Sequence, residues 1–188
     1  PSGYENQKMP ALFEFTRYWR SSENPETGAP NPSLSERDKF FLTNDYILVK
    51  VDVRGTGASY GTRLGEYTPI EVEDAKYIVE WAVNQSWSDG IVGAYGTSYS
   101  GTTSELLCAT GHTAVKAVIP GWSDFDVYES PTRPYGMLAK GFIALWSQYV
   151  NLLDNNSSDI LQASVRRVTE SSPEAAIAEH TNNPVILE

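Results

Sequence analysis

Ser98 lies between two glycines at a point where an apolar run gives way to a helix-forming segment, in the sequence GAYGTSYSG at 93–101. A nucleophile held on a sharp strand-to-helix turn needs small neighbours, because the strand and the helix approach closely there. Gly96 and Gly101 supply them, although Ser100 stands where the stricter Gly-x-Ser-x-Gly pattern has glycine. We interpret Ser98 as a nucleophile. The alternative is a glycine-rich turn that only packs a helix on a sheet.

A nucleophilic serine needs a base, usually histidine, and a carboxylate that orients the base. The chain contains two histidines, His112 and His180, and each follows a predicted helix at its C-terminal end. A histidine interacts favourably with that end of a helix, so we interpret both as cap or surface residues. Asp124 and Asp126 follow a predicted strand and could in principle orient a base.

The segment RGTGASYG at 54–61 invites comparison with a dinucleotide-binding loop. That fingerprint is Gly-x-Gly-x-x-Gly opening directly into a helix. Here the third glycine comes one residue late and the next helix is predicted to begin only at Pro69. We therefore predict a structural loop that orders the edge of the sheet.

The elements that must position Ser98 alternate between strands and helices. Thr68, Pro69 and Glu71 have the pattern of a capped helix start, and apolar residues recur with helical spacing as far as about Gln85. Strands separated by helices indicate a parallel α/β sheet. The predicted strands are 10–16, 46–53, 91–96 and 115–120, the second helix is 99–110, and 21–35 is a surface loop.

After Asp126 the pattern becomes helical, with helices predicted at 135–153, 158–169 and 173–180. The predicted organisation is therefore a core over residues 1–125 and a helical unit over residues 126–188.

Composition restricts the classes of function. Hydrophobic residues make up 40% of the 188 residues and charged residues 20%, which is typical of a packed globular protein. A net charge of -10 argues against nucleic acid and anionic lipid as partners. We expect no metal or cofactor, because no cluster of residues has ligand spacing, and no membrane span. The single cysteine, Cys108, is predicted to face the interior from its helix.

The ordered combination of motifs resembles a known family. Its members are the S15 α/β-hydrolases, which include X-Pro dipeptidyl-peptidases, cocaine esterase, α-amino-acid ester hydrolases and other CocE/NonD hydrolases. The resemblance covers residues 10–130. It rests on VDVRGTGASYG at 51–61, Trp81, WSDG at 87–90 and GAYGTSYSG at 93–101.

The resemblance implies a fold and a set of site residues. The fold would be an incomplete α/β-hydrolase core, a mainly parallel sheet flanked by helices, followed by part of an all-helical cap. Ser98 matches the nucleophile, and the backbone N–H of Tyr99 and the hydroxyl of Tyr18 match the two oxyanion donors. Trp146 lies about where relatives place a tryptophan against the acyl group; the alternative is that it belongs to the core, which is more common for a large aromatic on an amphipathic helix. Arg17 stands where the family often has proline. The family's order places the acid and the histidine beyond Glu188, so we expect this chain to be a fragment.

The expected activity is serine-dependent hydrolysis of an ester or amide through an acyl-enzyme, on a small-molecule or peptide acyl substrate. One alternative is an X-Pro dipeptidyl-peptidase, which must pair a free substrate amine with buried carboxylates. Another is a non-catalytic binding module on the same fold. In each case, the remainder of the polypeptide is needed to complete the fold.

Overall fold

A computed structural model describes residues 7–23, 27, 30–31 and 34–155. The predicted helices at 158–169 and 173–180, together with His180, lie outside the described residues.

Four strands form a parallel sheet flanked by helices, as predicted. The strand order is β4-β1-β5-β6, so β1 lies beside β5, with Phe13 opposite Ala94. β2 and β3 make a separate two-residue antiparallel ladder. In chain order the elements are β1 (Met9–Thr16), β2 (Ser22–Glu23), β3 (Pro30–Asn31), α1 (Glu36–Leu42), β4 (Ile47–Asp52), α2 (Pro69–Val83), β5 (Ser88–Thr97), α3 (Tyr99–Ala109), β6 (Val115–Gly121), a short π-helix (Tyr128–Thr132), a 3₁₀-helix (Pro134–Gly136) and α4 (Lys140–Asp154).

The central strands explain where the core lies. In β5, Val92, Ala94 and Tyr95 lie within four consecutive positions and all are buried. Burial of neighbouring positions is expected for a strand that is covered on both faces. In β1, Phe13 and Phe15 are buried, and their rings stack with centroids 5.5 Å apart. The strand that ends at the candidate nucleophile is therefore held in the middle of the sheet.

The structure differs from the sequence prediction at two helices. α1 was not predicted. It begins after Ser35, whose side chain accepts from the Asp38 N–H while the Asp38 carboxylate accepts from the Ser35 N–H. The helix predicted from residue 135 begins at Lys140, because Tyr135 has φ +56° and Gly136 has φ +78°, which an α-helix cannot contain.

Cys108 is exposed, so the prediction that it faces the interior is wrong. The last turn of α3 contacts the core through Leu107, which is fully buried. The next residue is rotated by about 100° around the helix, which carries its side chain to the outside.

The chain divides into two compact units, each discontinuous in sequence. The first, Pro1–Phe15, Leu34–Val51 and Pro69–Ser123, contains most of the sheet and helices α1 to α3. The second combines Thr16–Ser33, Asp52–Thr68 and Asp124–Glu188, and it contains α4. The domain boundary predicted after residue 125 stays a prediction.

Candidate active site

Ser98 occupies the turn between β5 and α3 with strained backbone angles, φ +59° and ψ −124°. Residues other than glycine rarely adopt such angles, and where they occur they cluster at functional sites. The Ser98 N–H donates to the carbonyl oxygen of Gly121 in β6 at 2.9 Å, which holds the turn against the neighbouring strand. The Ser98 side chain is exposed. The turn therefore presents a hydroxyl to solvent from a fixed backbone.

The glycines on either side of Ser98 are required by close backbone contacts. A Cβ on Gly96 would lie 2.1 Å from the Ser100 carbonyl oxygen, and one on Gly101 would lie 2.2 Å from the Gly121 carbonyl oxygen. A Cβ on Gly96 would also lie 2.5 Å from the Cβ of Ser100. The missing side chain at Gly96 thus leaves the space that Ser100 uses, which explains why serine is tolerated in place of the expected glycine.

Tyr99 is the first residue of α3. The first N–H groups of an α-helix have no acceptor within the helix, and the helix dipole favours negative charge beside them. The buried Tyr99 side chain has a separate role, since its hydroxyl donates to Glu71 Oε2 in α2 at 2.8 Å. The side chain therefore joins the start of α3 to α2, while the backbone is the part suited to an anionic oxygen.

Both ring nitrogens of His112 form hydrogen bonds. Its Nδ1 accepts from the Ala114 N–H at 3.2 Å, so Nε2 carries the proton and donates to Glu80 Oε2 at 3.0 Å. Hydrogen bonds from His112 and then Asn84 lower the pKa of the Glu80 carboxyl. Neither of these two contacts is made to a carbonyl group at the end of α3, so the interpretation of His112 as a cap or surface residue stays a prediction.

The two aspartates considered as orienting acids also have local partners. Asp126 Oδ1 accepts from the N–H groups of Tyr128 and Glu129 at 2.9 and 3.0 Å. Asp124 Oδ1 accepts from the Ser130 hydroxyl at 2.7 Å. Both carboxylates order the turn that follows β6.

In the second unit, the structure brings together Tyr18 and Trp146, two of the predicted site residues. The Trp146 Nε1 donates to the Tyr18 hydroxyl oxygen at 3.0 Å, and the Tyr149 ring centroid lies 6.2 Å from that of Tyr18. An indole N–H can only donate. Tyr18 is therefore the acceptor in this bond.

A buried charge cluster beside this pair was not predicted. Arg17 is fully buried; its Nη2 donates to both carboxylate oxygens of Asp154, at 3.0 and 2.9 Å, and its Nη1 donates to Glu66. Arg63 donates to the same two carboxylates, at 2.7 Å to Asp154. Two arginines thus balance two carboxylates, as buried charges require. The only feature of the sequence that pointed to this cluster was Arg17, which stands where the family often has proline.

The loop after β4 packs around the side chain of Asp52. The buried Asp52 carboxylate accepts from the N–H groups of Arg20 and Ala58 at 2.7 and 3.0 Å. Gly57 has φ +55°, and a Cβ there would lie 2.1 Å from Asp52 Cγ. The loop therefore wraps closely around a protein carboxylate.

Among residues 7–23, 27, 30–31 and 34–155, no three His, Cys, Asp or Glu side chains lie together as metal ligands. In the same part of the chain, no helix has both the length and the apolar composition to cross a membrane.

The sequence profile of the X-Pro dipeptidyl-peptidase (S15) family matches residues 1–188. The chain belongs to this family. A Mycobacterium bovis protein named as a serine esterase is 38% identical over 159 residues, covering 80% of this chain and 25% of the relative. Cocaine esterase of Rhodococcus is 34% identical over 146 residues, covering 67% of this chain and 25% of that enzyme.

The fold of this S15 chain is similar to that of a CocE/NonD family hydrolase from Staphylococcus aureus. The TM-score is 0.67 at 30% identity, covering 78% of this chain and 28% of the other. Relatives named as Xaa-Pro dipeptidyl-peptidases are 24 to 26% identical. The chain spans about a quarter of the length of the esterase relatives it matches.

Proposed function

We propose that the complete protein is a serine hydrolase in which Ser98 is the nucleophile. The observation that carries this proposal is the strained, exposed position of Ser98 between β5 and α3. Strain at a residue whose hydroxyl faces solvent adds nothing to packing, whereas a nucleophile must reach its substrate from a fixed backbone.

The proposed reaction has two steps. The Ser98 oxygen attacks the substrate carbonyl while a base accepts its proton; the bond to the leaving group breaks, and the base returns the proton to that group. Water then attacks the acyl-enzyme in the same way and releases the acid. The Tyr99 N–H and the Tyr18 hydroxyl are the proposed donors to the oxyanion of each tetrahedral intermediate.

The base and its orienting acid are proposed to lie beyond Glu188. Without a base the Ser98 hydroxyl stays weakly nucleophilic, and oxyanion donors alone give a residual acceleration of roughly a thousand-fold over water. The 188-residue chain by itself is therefore expected to lack enzyme-level turnover. β6 lies at an edge of the described sheet and its Ile119 is 57% exposed, so the remaining polypeptide is proposed to cover this edge.

An ester is the proposed substrate class. A dipeptidyl-peptidase must bind the free amine of its substrate with buried carboxylates. Asp154 and Glu66, the carboxylates that contact Arg17, each accept from two arginines. The esterase relatives are also more similar to this chain than the peptidase relatives. Trp146 is the proposed contact for the acyl group.

The test compares two substrates on the complete protein, p-nitrophenyl acetate and glycylproline p-nitroanilide. We expect turnover of the ester to exceed turnover of the anilide, and Ser98→Ala to abolish it. Ser86→Ala changes an exposed serine outside the turn and is the matched control. Preferential cleavage of the anilide would instead indicate the peptidase, and turnover of neither substrate would favour a binding module.

A further inference from the structure

The turn that carries Tyr18 is held by unusual contacts on both sides. Trp19 has φ +67°, and its buried indole donates to the Leu153 carbonyl oxygen at 3.3 Å. The Tyr18 N–H donates to the side chain of Thr16 at 2.9 Å. A strained turn persists only where contacts with the surrounding structure stabilise it.

Arg17 contacts this turn by two routes. It precedes Tyr18 in the chain, so the ion pairs of Arg17 with Asp154 and Glu66 fix the backbone from which Tyr18 extends. Its guanidinium carbon also lies 5.1 Å from the ring centroid of Trp146, whose Nε1 donates to the Tyr18 hydroxyl. The Arg17 side chain therefore fixes both the backbone of Tyr18 and, through Trp146, its hydroxyl group.

We propose that Arg17 is the positioning residue for the Tyr18 hydroxyl. The proposal rests on the proposed function for its catalytic consequence, because a displaced hydroxyl matters only if Tyr18 donates to the oxyanion. Its structural part, the control of the Trp146–Tyr18 hydrogen bond, does not depend on catalysis.

Lysine cannot replace Arg17 in this role. The planar guanidinium donates from Nη2 to both oxygens of Asp154 and from Nη1 to Glu66 while its face lies over the Trp146 ring. Lysine has one compact ammonium group that cannot match this fork and stack together. Arg17→Lys keeps the positive charge, but we do not expect it to keep the Tyr18 hydroxyl in position.

The first measurement is the steady-state kinetics of the complete protein with p-nitrophenyl acetate. The concentration of active enzyme is obtained by titrating the active sites with a fluorophosphonate. Arg17→Met should lower kcat by about 10- to 100-fold, with KM within about twofold of wild type. Arg17→Lys should show most of the same decrease in kcat. In a Tyr18→Phe background, Arg17→Met should cause little further loss. Arg37→Met is the matched control, because Arg37 also lies over an aromatic ring, that of Tyr95 at 4.6 Å, but outside the cluster.

The second measurement needs no activity. In protein labelled with 5-fluorotryptophan, the Trp146 signal is assigned by its loss in Trp146→Phe. Arg17→Met should shift this ¹⁹F signal, while the signals of Trp81 and Trp87 stay in place. If Arg17→Met does not accumulate as folded protein, Arg17→Lys serves in both measurements with the same expected direction.

Two results would overturn the inference: an unmoved Trp146 signal, or losses from Arg17→Met and Tyr18→Phe that multiply in the double variant. Failure of the proposed function looks different. The wild-type protein would then neither turn over the ester nor react with the fluorophosphonate, and the ¹⁹F signal would still decide whether Arg17 positions the pair.

Discussion

The indole Nε1 of Trp146 donates a hydrogen bond to the hydroxyl oxygen of Tyr18 at 3.0 Å, across 128 positions of the chain. The bond joins the segment after β1 to α4. Because Tyr18 accepts in this bond, the indole orients the hydroxyl without using its proton. A phenol oriented in this way is suited to donate to a charge that develops during a reaction.

Replacing Tyr18 with phenylalanine removes only this hydroxyl. In the complete protein, Tyr18→Phe should lower kcat by about 100- to 1,000-fold with little change in KM, because the donor is used mainly in the transition state. Tyr149→Phe makes the same chemical change on the adjacent ring and is the control, with kcat expected to stay within about twofold. If Tyr18→Phe raises KM and leaves kcat intact, Tyr18 is part of a pocket wall and not an oxyanion donor.

The close approach at Gly101 predicts a loss of stability on adding one methyl group. A Cβ there would lie 2.2 Å from the Gly121 carbonyl oxygen, so Gly101→Ala must push α3 away from β6. We expect a cost of about 1 to 3 kcal/mol in the free energy of unfolding, measured by urea denaturation of the complete protein.

Gly141→Ala is the matched control for this substitution. It adds the same methyl group in α4, where nothing lies within 4 Å of the new Cβ. Its effect should be neutral or stabilising by up to about 1 kcal/mol, because alanine favours a helix over glycine. Equal effects at Gly101 and Gly141 would contradict the account of the turn.

The turn at Ser98 was predictable because its constraints are local. The apolar strand, the glycines and the following helix are adjacent in the chain, so their types and spacing report the close contacts that Gly96 and Gly101 make. The buried cluster was not predictable, because its charges come from residues far apart in the chain. Arg17 and Asp154 are separated by 137 positions, and nothing near either one indicates that the other neutralises it.

One helix, α1, was missed, and the start of another, α4, was predicted too early. The helix α1 depends on a capping box at Ser35 that follows a loop rich in proline and serine, and the cap is only weakly marked when its acid is Asp38 in place of glutamate. The late start of α4 follows from the backbone angles at Tyr135 and Gly136. The apolar sequence after them favours a helix without showing where it must begin.

Asp38 joins α1 to the sheet through buried hydrogen bonds. Its carboxylate accepts from Lys50 Nζ and from the Tyr95 hydroxyl, each at 2.7 Å. Burial by itself raises the pKa of the Asp38 carboxyl. Hydrogen bonds from Lys50, Tyr95 and the Ser35 N–H, together with the charge of Lys50, outweigh that effect and lower the pKa from 3.8 to about 2.

This lowered pKa predicts a pH-dependent contribution to stability. Because the folded pKa is below the unfolded value, the contribution is complete above pH 3.8 and is lost as the pH falls through about 2. The stability difference between wild type and Asp38→Asn should therefore shrink by about 2 kcal/mol from pH 5 to pH 2. Urea denaturation at several pH values measures it. Glu36→Gln, on the exposed face of α1, should show little such change, and a constant difference for Asp38→Asn would contradict the assignment.

The contacts of His112 predict that it is dispensable for turnover. Both of its ring nitrogens have partners, the Ala114 N–H just before β6 and the Glu80 carboxylate in α2. His112→Ala in the complete protein should leave kcat for p-nitrophenyl acetate within about twofold of wild type. A loss of several orders of magnitude, with the variant still folded by circular dichroism, would identify His112 as the base and would place that part of the triad inside this chain.

Ser98 is expected to be the residue that is acylated during turnover. The complete protein is treated with a fluorophosphonate, digested, and mapped by mass spectrometry, with Ser98→Ala treated in parallel. We expect one modified peptide, with the label on Ser98, and no label in the variant. Labelling of Ser100 or Ser104, or undiminished labelling of the Ser98→Ala protein, would contradict this role of Ser98.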